Sequence, residues 1–194
     1  MLGVGSVLRL KRKPEEIEAE LTPSLSVVVD AYLGRTITSS YATANYMFLN
    51  TFITRPFEIF LKDIFAGLNI PGPRIIPLVM GFGFGKSHAQ IFLLHLFCSY
   101  EFIPSKLEEG LERLGWSREL AESVVVLPID FYSAREGAFV SPINQITEFL
   151  QAYAREGSPL YRGPRLAEEI RSAVERHGLG VGFMDANTYA SILV

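Results

Sequence analysis

A chain of 194 residues with 48% hydrophobic and 20% charged side chains has enough apolar material to bury a core, which excludes an intrinsically disordered protein. Its net charge of −3 excludes the broad positive field of a nonspecific nucleic-acid binder, and the short basic run RLKRK (9–13) reads as solvated. The single cysteine, Cys98, forbids an internal disulfide and reads as a packing residue in a reducing compartment.

The longest apolar run, IFLLHLF (91–97), is far shorter than the ~20 residues needed to cross a bilayer. At the N-terminus, MLGVGSVLRLKRK places its charges after its apolar residues, the reverse of a secretory signal. A cytoplasmic protein without a membrane partner is expected.

In chain order, residues 36–50 (TITSSYATANYMFLN) are polar and aromatic, loop-like at the start and helical at the end. Thr54 as cap and Pro56 in the first turn open a helix with Phe57, Phe60, Leu61, Ile64 and Phe65 on one face and Gly67 as its stop. NIPGP (69–73) is a turn, and RIIPLVM (74–80) reads as a buried strand. Pro77 removes a ladder donor from that strand, so either it pairs on one side only or residues 78–80 alone are regular.

KSHAQIFLLHLFCSY (86–100) reads as a helix apolar nearly all round and so buried on most sides. Ser105 and Glu108 form a capping box for a helix carrying Leu107, Leu111 and Leu114 and ended by Gly115, and Ser117 opens another short helix. VVVLPIDF (124–131) is the second strand-like run. Ser141 and Pro142 start a helix with Ile143, Ile146, Phe149, Leu150 and Tyr153 inward; Pro164 starts one with Leu166, Ile170 and Val174, stopping at Gly178. YASILV (189–194) reads as the opening of a strand.

These elements predict an α/β fold, helix-rich, with 74–80 and 124–131 as parallel strands. Residues 1–70 form a helical N-terminal extension and residues 71–194 part of a P-loop NTPase domain.

Between the first strand and the long helix lies GFGFGKSH (81–88). Successive backbone N–H groups in a glycine-rich turn form a concave nest for phosphate oxygens, and the following helix aims its free N–H groups and dipole at the same place. Gly81, Gly83 and Gly85 supply the turn, with Phe82 and Phe84 between them. Lys86 supplies a charge for the outer phosphates, Ser87 a hydroxyl for Mg²⁺, and His88 a backbone N–H within reach of an α-phosphate. ATP with Mg²⁺ is therefore the expected ligand. A dinucleotide fingerprint needs two residues between its second and third glycines, whereas Gly83 and Gly85 have one between them. The general P-loop pattern also has a glycine where this chain has Met80.

GFGFGKSH followed by AQIFLLHLF resembles the loop of a prokaryotic family of predicted AAA+-type ATPases, which runs close to Gly-Phe-Gly-Gly-Gly-Lys-Thr-His. That family lacks the same glycine and continues into an apolar helix with a second histidine, matched here by His95. The segment YATANYMFLNTFITRPFEIFLKDIFAGL (41–68) is similar to the aromatic residues, Thr-x-x-Thr-like turn and helix that precede the family's loop. The resemblance covers roughly residues 36–100, and Phe84 stands where the family prefers a small residue. It implies an ATPase that works with further copies or a downstream ATPase half. Because such proteins are often encoded beside DNA methyltransferases, it also implies a role in DNA modification or defence, with nucleic acid as a partner by association only.

Among other groups, His88 and His95 stand two helical turns apart on one face. They lack a third metal ligand at suitable spacing, since His177 is remote and Cys98 lies on a different face, so core or supporting roles are expected rather than zinc. Asp130, at the end of VVVLPIDF, is a candidate catalytic or metal-contacting carboxylate, with capping of YSAREG as its plainer role. Arg135, Arg162 and Arg165 are cations that could approach a γ-phosphate, none singled out by the sequence.

No apolar run ends in the acidic pair that ATP hydrolysis in this class uses, and the chain stops at SILV, where such a strand would start. The expectation is the N-terminal part of a longer ATPase, or a shortened product. A complete small P-loop kinase and a non-catalytic nucleotide-binding interaction module are the competing readings.

Overall fold

A computed structural model describes residues 24–35, 39–79, 85–129 and 142–176. Among these the regular elements are helical: α1 (Leu25–Tyr32), α2 (Ala44–Asn50), α3 (Arg55–Leu68), α4 (Lys86–Cys98), α5 (Ser105–Glu112), α6 (Arg118–Ser123), α7 (Pro142–Ala154) and α8 (Pro164–Arg176). Two 3₁₀ turns, Ser40–Ala42 and Tyr100–Phe102, precede α2 and follow α4.

The centre of the structure is α4. Ile91, Phe92, Leu94, His95, Leu96, Phe97 and Cys98 are all buried, as a helix with apolar residues around its whole circumference requires. It packs against α1, α2 and α6, while α7 packs against α8. Residues from Val28 to Ile170 share one apolar core, with residues on both sides of position 70 contributing to it.

The face of α3 expected from its spacing is the one buried: Phe57, Leu61 and Phe65 turn inward, and Phe57 meets Phe92 of α4 edge-on at 5.3 Å between ring centres. On its other flank Phe92 receives Phe48 of α2 edge-on at 5.7 Å. The helix runs through Gly67 to Leu68, and Asn69 closes it with a side-chain hydrogen bond from Nδ2 to the Phe65 carbonyl at 2.9 Å.

Some local expectations change. The capping box at Ser105 does not form: Pro104 holds the cap position, Ser105 is already helical, and Glu108 pairs instead with Arg118 at 2.7 Å. Ser117 does cap α6, accepting the Leu120 N–H at 3.1 Å. After α5, Gly115 takes φ +101°, and the Trp116 N–H returns to the Leu111 carbonyl at 3.1 Å. Helix α1 lies in the stretch expected to be a helical extension, where no single helix was delimited, and its run Val27, Val28 and Val29 by itself favours extended backbone. Burial of Val28, Val29 and Tyr32 against the rest of the core outweighs that preference.

The larger correction is the fold class. Among the described residues there is no strand, so the expected parallel sheet is overturned and the described fold is all helical. Residues 73–79 are irregular and lie on the surface. Ile76 reaches back toward Gly67, where a methyl group would stand 3.2 Å from its Cδ1, and Leu78 packs on the core, but Ile75 and Val79 are 94% and 87% exposed. Pro73 and Pro77 remove two of the donors a ladder would need.

Residues 124–129 are half-buried, and side chains serve their backbone in place of a neighbouring strand. The Tyr153 hydroxyl lies 3.2 Å from the Val126 N–H and 3.4 Å from the Val126 carbonyl. Arg162 donates to the carbonyls of Val124 at 2.8 Å and Ala121 at 2.9 Å, and also to that of Phe97. Met80, Asp130, Phe131, Gly178 and the run 189–194 lie outside the described residues. None of the described helices is long and apolar enough to cross a membrane.

Candidate functional site

The glycine-rich stretch delivers the chain to the N-terminus of α4. Gly81, Phe82, Gly83 and Phe84 lie outside the described residues, while Gly85, Lys86, Ser87 and His88 lie within them. Gly85 holds the cap position at φ +82° and ψ +22°, a left-handed conformation that a residue with a side chain adopts only at a cost, and its carbonyl accepts the Ala89 N–H at 2.9 Å.

From there a 13-residue helix starts at once with Lys86. Its first turn has no acidic residue, and its cap residue, a glycine, brings no side chain to its N–H groups. The first-turn amides and the positive end of the helix dipole are thus joined by a cation, Lys86, where the helix by itself favours an anion. Lys86 is half-buried and Ser87 is exposed.

His88 is the third residue of the helix, held from the side. Thr51, at the end of α2, donates its hydroxyl to the Met47 carbonyl at 2.7 Å, so its oxygen is left to accept from His88 Nε2 at 3.0 Å. The His88 ring therefore carries its proton on Nε2. Burial holds its pKa below the ordinary histidine value. Tyr41 lies edge-on to the same ring, centres 6.2 Å apart.

Two turns further, His95 is fully buried and both of its nitrogens are engaged. Nε2 meets the Tyr41 carbonyl at 2.7 Å; a carbonyl only accepts, so the proton is on Nε2. Nδ1 then accepts from the Tyr32 hydroxyl at 2.6 Å, and the Tyr32 oxygen accepts in turn from Ser99 Oγ at 2.6 Å. Burial lowers the His95 pKa, against a smaller opposing effect of the Tyr41 carbonyl, and raises that of Tyr32. The chain Ser99, Tyr32, His95, Tyr41 is a directed relay of neutral donors and acceptors across α1, α4 and the 3₁₀ turn before α2. It ties α1 and that turn to α4, the helix that follows the glycine-rich loop.

Both histidines thus hold structural positions on α4. Among the described residues no group of three or more His, Cys, Asp or Glu is arranged to hold a metal ion. Cys98 is buried and 3.5 Å from the Tyr153 hydroxyl, and burial pushes its thiol up to about 11, which keeps it protonated and inert.

The arginines considered for phosphate contact separate. Arg135 lies outside the described residues, as does Asp130. Arg162 is committed to three backbone carbonyls, one of them that of Phe97 at the C-terminal end of α4. At 1.5 Å of rise per residue that places it roughly 17 Å from Lys86. Arg165 pairs with Glu169 at 3.0 Å, and both line a cleft of about 860 Å³ with Arg162, Glu101, Glu119 and Glu122, at the Cys98 end of α4. Neither Arg162 nor Arg165 joins Lys86.

Sequence reasoning identified the helix that begins at Lys86 and placed the two histidines on it two turns apart. It missed Tyr32, Tyr41, Thr51 and Ser99, which hold those rings in place. Set against known proteins, the chain matches no family model, no curated protein and no solved structure.

Proposed function

We propose that the chain binds ATP with Mg²⁺ at residues 81–88 and is the nucleotide-binding part of an AAA+-like ATPase. One observation carries this reading: Gly85 takes a left-handed conformation and opens directly into a helix whose first turn is Lys86, Ser87 and His88, with no acid in that turn. The first-turn amides and Lys86 are complementary to a phosphate chain, and Ser87 is exposed at the position suited to a Mg²⁺ ligand.

In this reading Gly81, Gly83 and Gly85 let the backbone close around the β- and γ-phosphates, and Lys86 neutralises them. The Ser87 hydroxyl holds the metal, and the His88 amide faces the inner phosphate. The His88 ring turns away toward Thr51 and keeps the first turn of α4 fixed on α2. The ATPase activity itself is proposed from the resemblance of 36–100 to the AAA+-type family, not from any acid positioned in the described residues.

Calorimetric titration with ATP in the presence of Mg²⁺ tests the binding. The wild type is expected to bind, and Lys86→Ala to lose about tenfold or more in affinity, as removal of a charge-assisted hydrogen bond does. Equal affinity in the two proteins would reject the site.

A further inference from the structure

Three rings crowd the flank of α4 beside its first turn. Tyr41 lies edge-on to His88, with centres 6.2 Å apart and planes at 86°, and edge-on to Tyr46, at 5.6 Å and 77°. The group is fixed from several directions. The Tyr41 carbonyl accepts from His95 at 2.7 Å, and Thr51 holds His88 at 3.0 Å. Yet all three residues are only half-buried, so this rigid aromatic group retains solvent-facing surface. Tyr41 packs on the core with part of its side chain and leaves the rest exposed, unlike Phe48 and Phe92, which are covered.

If the phosphates sit at 81–88, the direction of the rest of the nucleotide follows. Lys86 takes the outer phosphates and the His88 amide faces the inner one, so sugar and base leave the helix end on the His88 side. We propose that Tyr41 and Tyr46, backed by the His88 ring, form the base-binding surface of the nucleotide site and take a purine by stacking. This rests on the phosphate-binding reading of the loop. A purine offers a larger π-face than a pyrimidine, and stacking on a pre-fixed aromatic surface costs little side-chain ordering.

The test is titration of the full chain, in Mg²⁺, with ATP, CTP and inorganic tripolyphosphate, on the wild type and on Lys86→Ala, Tyr41→Leu, Tyr41→Phe and Tyr46→Leu. Circular dichroism checks that each variant is folded. The wild type should bind ATP more tightly than CTP, and CTP more tightly than tripolyphosphate. Tyr41→Leu and Tyr46→Leu should each weaken ATP by about five- to 150-fold, the usual range for loss of a base-stacking aromatic, and leave tripolyphosphate unchanged. Tyr41→Phe should keep the wild-type affinity for ATP.

If ATP and tripolyphosphate bind the wild type equally, and Lys86→Ala weakens both, the base surface is rejected while the phosphate site stands. If neither binds, both readings fall. Should Tyr41→Leu fail to fold, the ligand ranking in the wild type and the response of Tyr46→Leu still decide the matter.

Discussion

The hydroxyl of Tyr32 serves two buried partners at once, donating to His95 Nδ1 and accepting from Ser99, each at 2.6 Å. Its removal leaves an acceptor and a donor in the core without partners, and an unmade buried hydrogen bond costs the desolvation of the group left behind. Tyr32→Phe should therefore destabilise the protein by about 1–3 kcal/mol, read from urea denaturation, with the fold retained. The histidines add a pH dependence. Burial holds both His88 and His95 below the ordinary value of 6.5, so the unfolded chain takes up these protons more readily than the folded one. Stability is then complete above that ordinary value and declines as pH falls from it through the lowered folded-state values. Each histidine contributes at most about 1.4 kcal/mol per pH unit in that window. Denaturation midpoints measured from about pH 7.5 to about pH 5.5 should show the decline, and His88→Gln should reduce its slope; a flat profile would mean that the rings are not desolvated.

At the scale of elements, the junction from the glycine-rich loop into α4 depends on Gly85. Among the described residues no atom outside its chain neighbours lies within 4 Å of where a Cβ would stand, so none of them obstructs Gly85→Ala. What it meets is the backbone conformation, at φ +82°. A left-handed alanine costs roughly 1–2 kcal/mol. The expected outcome is a loss of stability of about 1 kcal/mol together with weaker ATP binding, because the same backbone angle aims the first amides of α4. Unchanged thermal stability in Gly85→Ala would show that the helix can start without the left-handed residue. The opposite end of α4 is held differently: Arg162 draws together the carbonyls of Phe97, Ala121 and Val124, joining the ends of α4 and α6 to the extended segment that follows.

For the molecule as a whole, one core unites the helices, and the segment 73–79 lies at its margin, with Leu78 against it and Ile75 and Val79 turned to solvent. This placement separates two kinds of apolar residue that look alike in sequence. Ile75→Lys combined with Val79→Lys should change stability by less than about 0.5 kcal/mol, as surface substitutions do. Leu61→Ala, at a fully buried position of α3, should cost about 2–5 kcal/mol. The two variants compared in one urea series check this, and a large cost at 75 and 79 would place those side chains in a buried layer.

The helices α3, α4, α7 and α8 were legible in the sequence because helical periodicity is local: Phe57, Leu61 and Phe65, or Ile146, Phe149 and Tyr153, mark a buried face without reference to the rest of the chain. The start of α4 was legible for the same reason, since Gly85, Lys86 and Ser87 adjoin in sequence and mark it without reference to the rest of the chain. Whether RIIPLV and VVVLPI became strands was not a local matter. A run of apolar and β-branched residues favours extended backbone, but a strand also needs another strand to take its N–H and C=O groups, and that partner must come from elsewhere in the chain. In the tertiary structure Tyr153 and Arg162 take several of those groups in the second segment, while the first lies with two apolar side chains in solvent. The surroundings of the histidines were decided the same way. Their positions two turns apart followed from sequence, but their partners Thr51, Tyr41 and Tyr32 stand 37, 54 and 63 residues away, and only packing of α1 and α2 against α4 brings them within hydrogen-bonding distance.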